Sequence, residues 1–183
     1  MIDHRFISLR RAVAAALAVL PIAIAATPAA AQTATGTIGV ELTVTNACVV
    51  NDSTTLQSTL GTVGDVNFGT QPGTFQTVDG ELVGNVGALS IRCSPDASPT
   101  LTIGSGSNDN AGVRRMISGS ATIPYRLYTN ASRDNEITIG RQMSLGPATT
   151  APIVVPIYAR ASNPGGIARA GRYTDTVQIT LAW

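Results

Sequence analysis

From about residue 36 onward, apolar and polar side chains alternate with a period of two, and no convincing apolar stripe recurs every 3.6 residues. Ile38, Val40, Leu42 and Val44 share one face of a segment whose other face carries Thr37, Gly39, Glu41, Thr43 and Thr45. A long first strand with one apolar face is predicted there. Val63, Val66 and Phe68 follow Gly61, and residues 82–93 read as a strand pair or one bent strand with Leu89, Ile91 and Cys93 on one side. Leu101 and Ile103 form a short strand after Pro99, and Ile123, Tyr125 and Leu127 alternate again, as do Ile153, Val155 and Ile157. Tyr173, Val177, Ile179, Leu181 and Trp183 carry the alternation to the last residue given. Turn clusters separate these runs at Gln71-Pro72-Gly73, Asp79-Gly80, residues 104–112, 130–135 and 163–166. Short strands at this spacing predict an all-β, immunoglobulin-like β-sandwich.

Composition narrows the picture further. The chain has 183 residues, enough for one ordinary domain. Its 12 basic residues are all arginine against 11 acids, a net charge of +1, so no basic field exists to hold nucleic acid. Residues 1–31 read as a cleaved secretory signal: Arg5, Arg10 and Arg11 precede an apolar run from Ala12 to Ala26, and Ala29-Ala30-Ala31 supplies small residues for cleavage before Gln32. The rival reading is an uncleaved anchor. A membrane span needs about 20 apolar residues, and this run is shorter and contains Pro21. No membrane insertion is expected after cleavage, and residues 32–183 form the mature domain.

The only histidine, His4, leaves with the signal, and the chain has no lysine. Without an imidazole, no Ser-His-Asp or Cys-His arrangement can be assembled. Without lysine there is no Schiff base. Cys48 and Cys93 are the only cysteines of a chain sent to an oxidising compartment, so a disulfide between them is expected. The alternative of two free thiols, or half of a zinc site, has no further His or Cys to complete a tetrahedral shell. No metal or cofactor is expected, and the protein is read as a non-enzyme.

Weaker signals have plainer readings. Residues 104–112 faintly resemble a calcium loop but lack spaced carboxylates, so they read as a hairpin loop. Asn51-Asp52-Ser53 and Asn130-Ala131-Ser132 match a glycosylation sequon and are read as turns. Arg114-Arg115 is read as a solvated rim. Asp65, Asp79 and Glu81 could in principle flank a glycosidic bond, but turn or rim positions account for all three.

An N-terminal apolar strand and a final strand with no tail behind it together suggest a sandwich short of one strand. Such a sandwich has an open groove and unpaired edges, which β-augmentation by another chain would fill. The run from Gly36 to Cys48 resembles the start of a spore coat protein U domain, the family of the archaic chaperone-usher pilus subunits. Further blocks that match are Val66-Asn67-Phe68-Gly69, Leu89-Ser90-Ile91-Arg92-Cys93, Tyr125-Arg126-Leu127-Tyr128, Val155-Pro156-Ile157-Tyr158 and the stretch from Gly171 to Leu181. Their order and spacing cover essentially the whole mature chain.

That resemblance implies an incomplete immunoglobulin-like fold, completed by a donor strand from a neighbouring subunit. Its implied partners are copies of itself or related pilins, a periplasmic chaperone and an outer-membrane usher. The implied donor segment is residues 32–45, with Ile38, Val40, Leu42 and Val44 as its apolar face. The implied groove edge is the final strand, with Tyr173, Val177, Ile179, Leu181 and Trp183. The resemblance also implies a bridge between Cys48 and Cys93. The expected function is a structural shaft subunit of a surface pilus, exported through the periplasm and supporting adhesion and biofilm formation. The same alternation also fits an ordinary first strand paired within its own chain, which would leave a closed monomer. The functional alternatives are a monomeric secreted carbohydrate-binding sandwich, a coat-type structural protein, or a hydrolase using carboxylates alone.

Overall fold

Antiparallel strand pairing organises the chain from residue 48 onward in a computed structural model that describes residues 32–53, 55, 59–84 and 88–183. The signal reading falls on residues 1–31, outside the described residues. Eleven strands occur among the described residues, and no helix. One three-stranded sheet joins β1 (Cys48–Val50), β4 (Leu89–Cys93) and β9 (Ile153–Val155). A five-stranded sheet runs in the order β2 (Asp65–Val66), β3 (Thr77–Val83), β10 (Tyr158–Ser162), β7 (Ala121–Tyr128) and β6 (Arg114–Ser118). The third sheet joins β11 (Val177–Ala182), β5 (Thr100–Gly106) and β8 (Gln142–Ser144).

The period-two alternation works as expected, because successive side chains of a strand point to opposite faces. Leu89 and Ile91 from the first sheet, Leu101 and Ile103 from the third, and Ile123 and Leu127 from the five-stranded sheet all meet in one buried core. This is the antiparallel all-β sandwich that the pattern predicted. Pro124 lies within β7, where it cannot donate a ladder hydrogen bond. The pairing of β7 with β10 covers Tyr125 to Tyr128 and stops at that proline.

Several sequence expectations are corrected. Asp79-Gly80 is not a turn but the middle of β3. A Cβ at Gly80 would come within 3.1 Å of Val66 Cγ1 and 3.2 Å of the Phe68 ring, so glycine is needed there for close packing rather than for turning. Of the strand pair or bent strand read over residues 82–93, two strands are found, Leu82 near the end of β3 and Leu89–Cys93 as β4, and they lie in different sheets. The expected hairpin loop at 104–112 starts later, since β5 continues to Gly106. β10 escaped the pattern because its two fully buried residues, Ala159 and Ala161, carry little apolar surface.

The expected first strand is also absent as a strand. Residues 32–47 contain no regular secondary structure. An extended segment needs a neighbour to satisfy its backbone groups before it counts as sheet, and among the described residues no strand is paired with it.

Candidate assembly surface

The segment before β1 is apolar and open to solvent. Ile38 is 91% exposed, Val40 90%, Leu42 85% and Val44 81%. Isolated exposed apolar residues are ordinary, but four at alternating positions form one apolar strip. Shortly after it, Cys48 opens β1 and is bonded to Cys93, the last residue of β4. The two cysteines are register partners on adjacent strands with Cα atoms 4.0 Å apart. The Ala47 amide donates to Ser94 Oγ at 3.1 Å and the Ser94 amide to the Ala47 carbonyl at 2.8 Å. Hydrogen bonds and a covalent bridge thus fix the chain where the segment ends.

The second half of the expected surface is β11. It pairs with β5 and, among the described residues, with no other strand, so it is an edge. Val177, Ile179 and Leu181 are half-buried against the core, while Gln178, Thr180 and Ala182 are exposed. Tyr173 and Trp183, expected within this strand, lie outside it. Tyr173 is half-buried and donates its hydroxyl to the Arg169 carbonyl at 2.9 Å, and Trp183 is 49% exposed. The sandwich therefore uses neither ring as a fully buried core residue. The alternation found them, but the strand ends short of both.

Sequence reasoning missed a polar cluster that anchors the approach to β11. Arg114, read as solvated rim, is only 3% exposed. Its guanidinium donates to the carbonyls of Gly104 at 2.9 and 3.0 Å, Ile137 at 2.9 Å and Ile103 at 3.3 Å. Burial pulls it below the usual arginine range, opposed by the neighbouring Tyr125, Glu136 and Asp175. Close by, the Tyr125 hydroxyl donates to Asp175 Oδ2 at 2.7 Å, and Asn108 donates to Asp175 Oδ1 from its amide at 3.1 Å and its side chain at 2.9 Å. Burial first, and then the Asp175 carboxylate, push the Tyr125 phenol well above its ordinary value. An Arg-Arg pair following a turn cluster gives no sign in sequence that its first member is buried.

The carboxylates proposed for hydrolysis are strand residues facing solvent. Asp79 accepts from Arg160 Nε at 2.7 Å and Nη2 at 3.0 Å, and pairs with Arg133 Nε at 3.2 Å. The Arg133 guanidinium lies 5.8 Å from the centre of the Tyr158 ring. Asp65 and Glu81 line the same shallow depression as Asp79, Arg133 and Tyr158. With Asp79 held by two arginines, the site offers no free acid-base pair built on that residue. Both sequon asparagines sit at turns: the Asn51 side chain donates to the Val63 carbonyl at 2.8 Å, and that of Asn130 to Ser132 Oγ at 2.8 Å.

The family model described as the Spore Coat Protein U domain matches residues 34–180. Among curated proteins, "Protein U" of Myxococcus xanthus is 29% identical over 187 residues, covering 96% of this chain and 99% of that protein. Among solved structures, the chaperone–tip adhesion subunit pre-assembly complex CsuC-CsuE, from archaic chaperone-usher Csu pili of Acinetobacter baumannii, is similar at 24% identity and a TM-score of 0.49. That likeness covers 77% of this chain and 40% of that chain. The P pilus rod subunit PapA is similar at 13% identity and a TM-score of 0.45, over 74% of this chain and 97% of that chain.

Proposed function

The chain belongs to the Spore Coat Protein U domain family, and on that premise we propose that it is a structural shaft subunit of a surface pilus built by a chaperone-usher route. Residues 32–45 of one subunit fill the groove beside β11 of the next, through donor-strand exchange. A periplasmic chaperone holds the subunit and an outer-membrane usher passes it out. The finished fibre supports adhesion and biofilm formation. The role is mechanical rather than catalytic.

One observation carries this reading: four apolar side chains at alternating positions stand 81–91% exposed on a segment that has no strand partner among the described residues. Burying each would contribute about 1.5–3 kcal/mol, a gross of about 6–12 kcal/mol for the four. Ladder hydrogen bonds would add about 1 kcal/mol net apiece. The half-buried Val177, Ile179 and Leu181 on edge strand β11 supply apolar surface for such a donor to cover.

The test moves the donor. Residues 32–45 are deleted and a copy of residues 34–45 is attached behind Trp183 through a short flexible linker, which keeps the donor at a millimolar effective concentration. The rearranged chain should be a soluble monomer that forms no fibres and melts well above the donor-less chain. Size-exclusion chromatography and thermal melts read the result. A mature chain that is already a stable monomer, and gains nothing from the relocated strand, would overturn the proposal.

A further inference from the structure

The pairing of β11 with β5 is interrupted at one place. Val177 faces Gly106, but the next partners are Ile179 and Ile103, so the single residue Gln178 stands opposite two, Gly104 and Ser105. β5 thus carries a bulge, the device by which one extra residue re-phases a strand. Every feature around it is matched to that offset. A Cβ at Gly104 would come 3.2 Å from the Gln178 carbonyl oxygen. The Gly104 carbonyl accepts two bonds from the buried Arg114 guanidinium. A Cβ at Gly106 would overlap the Asp175 carboxylate, which three donors from Tyr125 and Asn108 hold in place.

The consequence concerns which side chains face inward. Beyond the bulge, Leu181 faces Leu101 and Ile179 faces Ile103, two apolar pairs directed to the core, with Thr180 opposite Thr102 between them. Because strand side chains alternate, a slip of one residue would turn Val177, Ile179 and Leu181 outward and bring Gln178 and Thr180 in. An edge strand is where such slippage is least opposed, since only one neighbour specifies its register.

We propose that Arg114 and Asp175, acting through Gly104 and Gly106, are positioning residues that lock β11 in a single register and thereby set the face it offers to an incoming strand. Arg114 donates twice to the carbonyl of Gly104, one of the two residues that stand opposite Gln178 at the bulge. Asp175, two residues before β11, sits only where Gly106 lies opposite Val177. The lock is a property of the chain by itself. Its consequence for assembly rests on the donor-strand reading above.

The full mature chain carrying T102C and T180C tests it, because these two positions are register partners and a one-residue slip separates them. A second pair, T102C with L181C, faces opposite sides in the observed register and meets after a slip. We expect near-complete crosslinking of the first pair and little of the second. Adding Asp175→Ala, Gly106→Ala or Arg114→Met should lower the first yield several-fold and raise the second, with the Cys48–Cys93 peptides still linked. Should these variants fail to fold, Asp175→Asn and Tyr125→Phe replace them, with an expected fall of at least twofold. Unchanged yields in the variants that fold overturn the lock, whatever happens to fibres. Altered yields with normal fibre formation uphold the lock and instead remove β11 as the groove edge.

Discussion

Arg160 and Asp79 face each other across β10 and β3 and form a two-pronged ion pair, Nε to Oδ1 at 2.7 Å and Nη2 to Oδ2 at 3.0 Å. The Arg160 hydrogen bond holds the Asp79 carboxyl below its ordinary value, against an opposing effect of burial and with further help from the charge of Arg133. The pair also offsets a like-charge contact, since Arg160 is the register partner of Arg126, whose own counterion is Glu136.

Because the Asp79 pKa is lowered on folding, its contribution is present above the ordinary carboxylate value and lost as pH falls through the folded value. Stability should therefore show no Asp79 dependence between about pH 5 and 8 and should decline below about pH 4. Asp79→Asn should flatten that acid limb. Thermal melts across acid pH check it, and an unchanged acid limb would remove the pair from the account.

Tyr125 gives the opposite sign. Its folded pKa is raised by burial and by Asp175, so folding favours the protonated phenol, and stability should fall as pH rises past about 10, where the unfolded chain begins to ionise. Tyr125→Phe removes this alkaline dependence. Ultraviolet titration of the phenols should give the same curve for both proteins until the native chain unfolds.

Replacing both Cys48 and Cys93 by serine removes a bridge spanning 45 residues. A loss of about 2–4 kcal/mol is expected, mainly by loosening the constraint on the unfolded chain. Urea unfolding should show the change, and non-reducing peptide mass spectrometry should recover the linked pair from the native protein. Freely alkylatable thiols in native material would contradict the structure.

Arg114→Met should cost about 2–4 kcal/mol, because buried carbonyls of Gly104 and Ile137 lose charged donors. Arg114→Lys should restore only part of it, since a compact ammonium lacks the planar, spread donors with which the guanidinium reaches the Gly104 and Ile137 carbonyls together. Equilibrium unfolding of the three proteins measures both effects.

Val40→Asp or Leu42→Asp should abolish fibre formation while leaving the sandwich and its disulfide intact. A carboxylate buried unpaired in a neighbour's apolar groove is costly, whereas both positions are at least 85% exposed in the single chain. Electron microscopy and circular dichroism separate the two properties. Variants that still polymerise would show that residues 32–45 are not the donor.

The sequence alone determined the all-β class, the inward faces of β4, β5 and β7, and the bridge between Cys48 and Cys93. Each follows from information local to one segment or from simple count: a period-two apolar pattern needs only its own strand, and two cysteines allow one internal pair. Tertiary structure decided what depended on remote neighbours. Asp79-Gly80 has the composition of a turn, yet β10 pairs with it directly, Arg160 opposite Asp79 and Ala159 opposite Gly80, and holds it in a strand. Arg114 has the charge of a surface residue, yet a bulged ladder and the carbonyl of Ile137 give its guanidinium buried acceptors. Ile38, Val40, Leu42 and Val44 have the alternation of a strand, yet strand structure requires a paired backbone, and among the described residues this segment has no partner strand. Periodicity specifies which side chains would share a face, whereas hydrogen-bond partners drawn from distant sequence decide whether that face is buried, and against what.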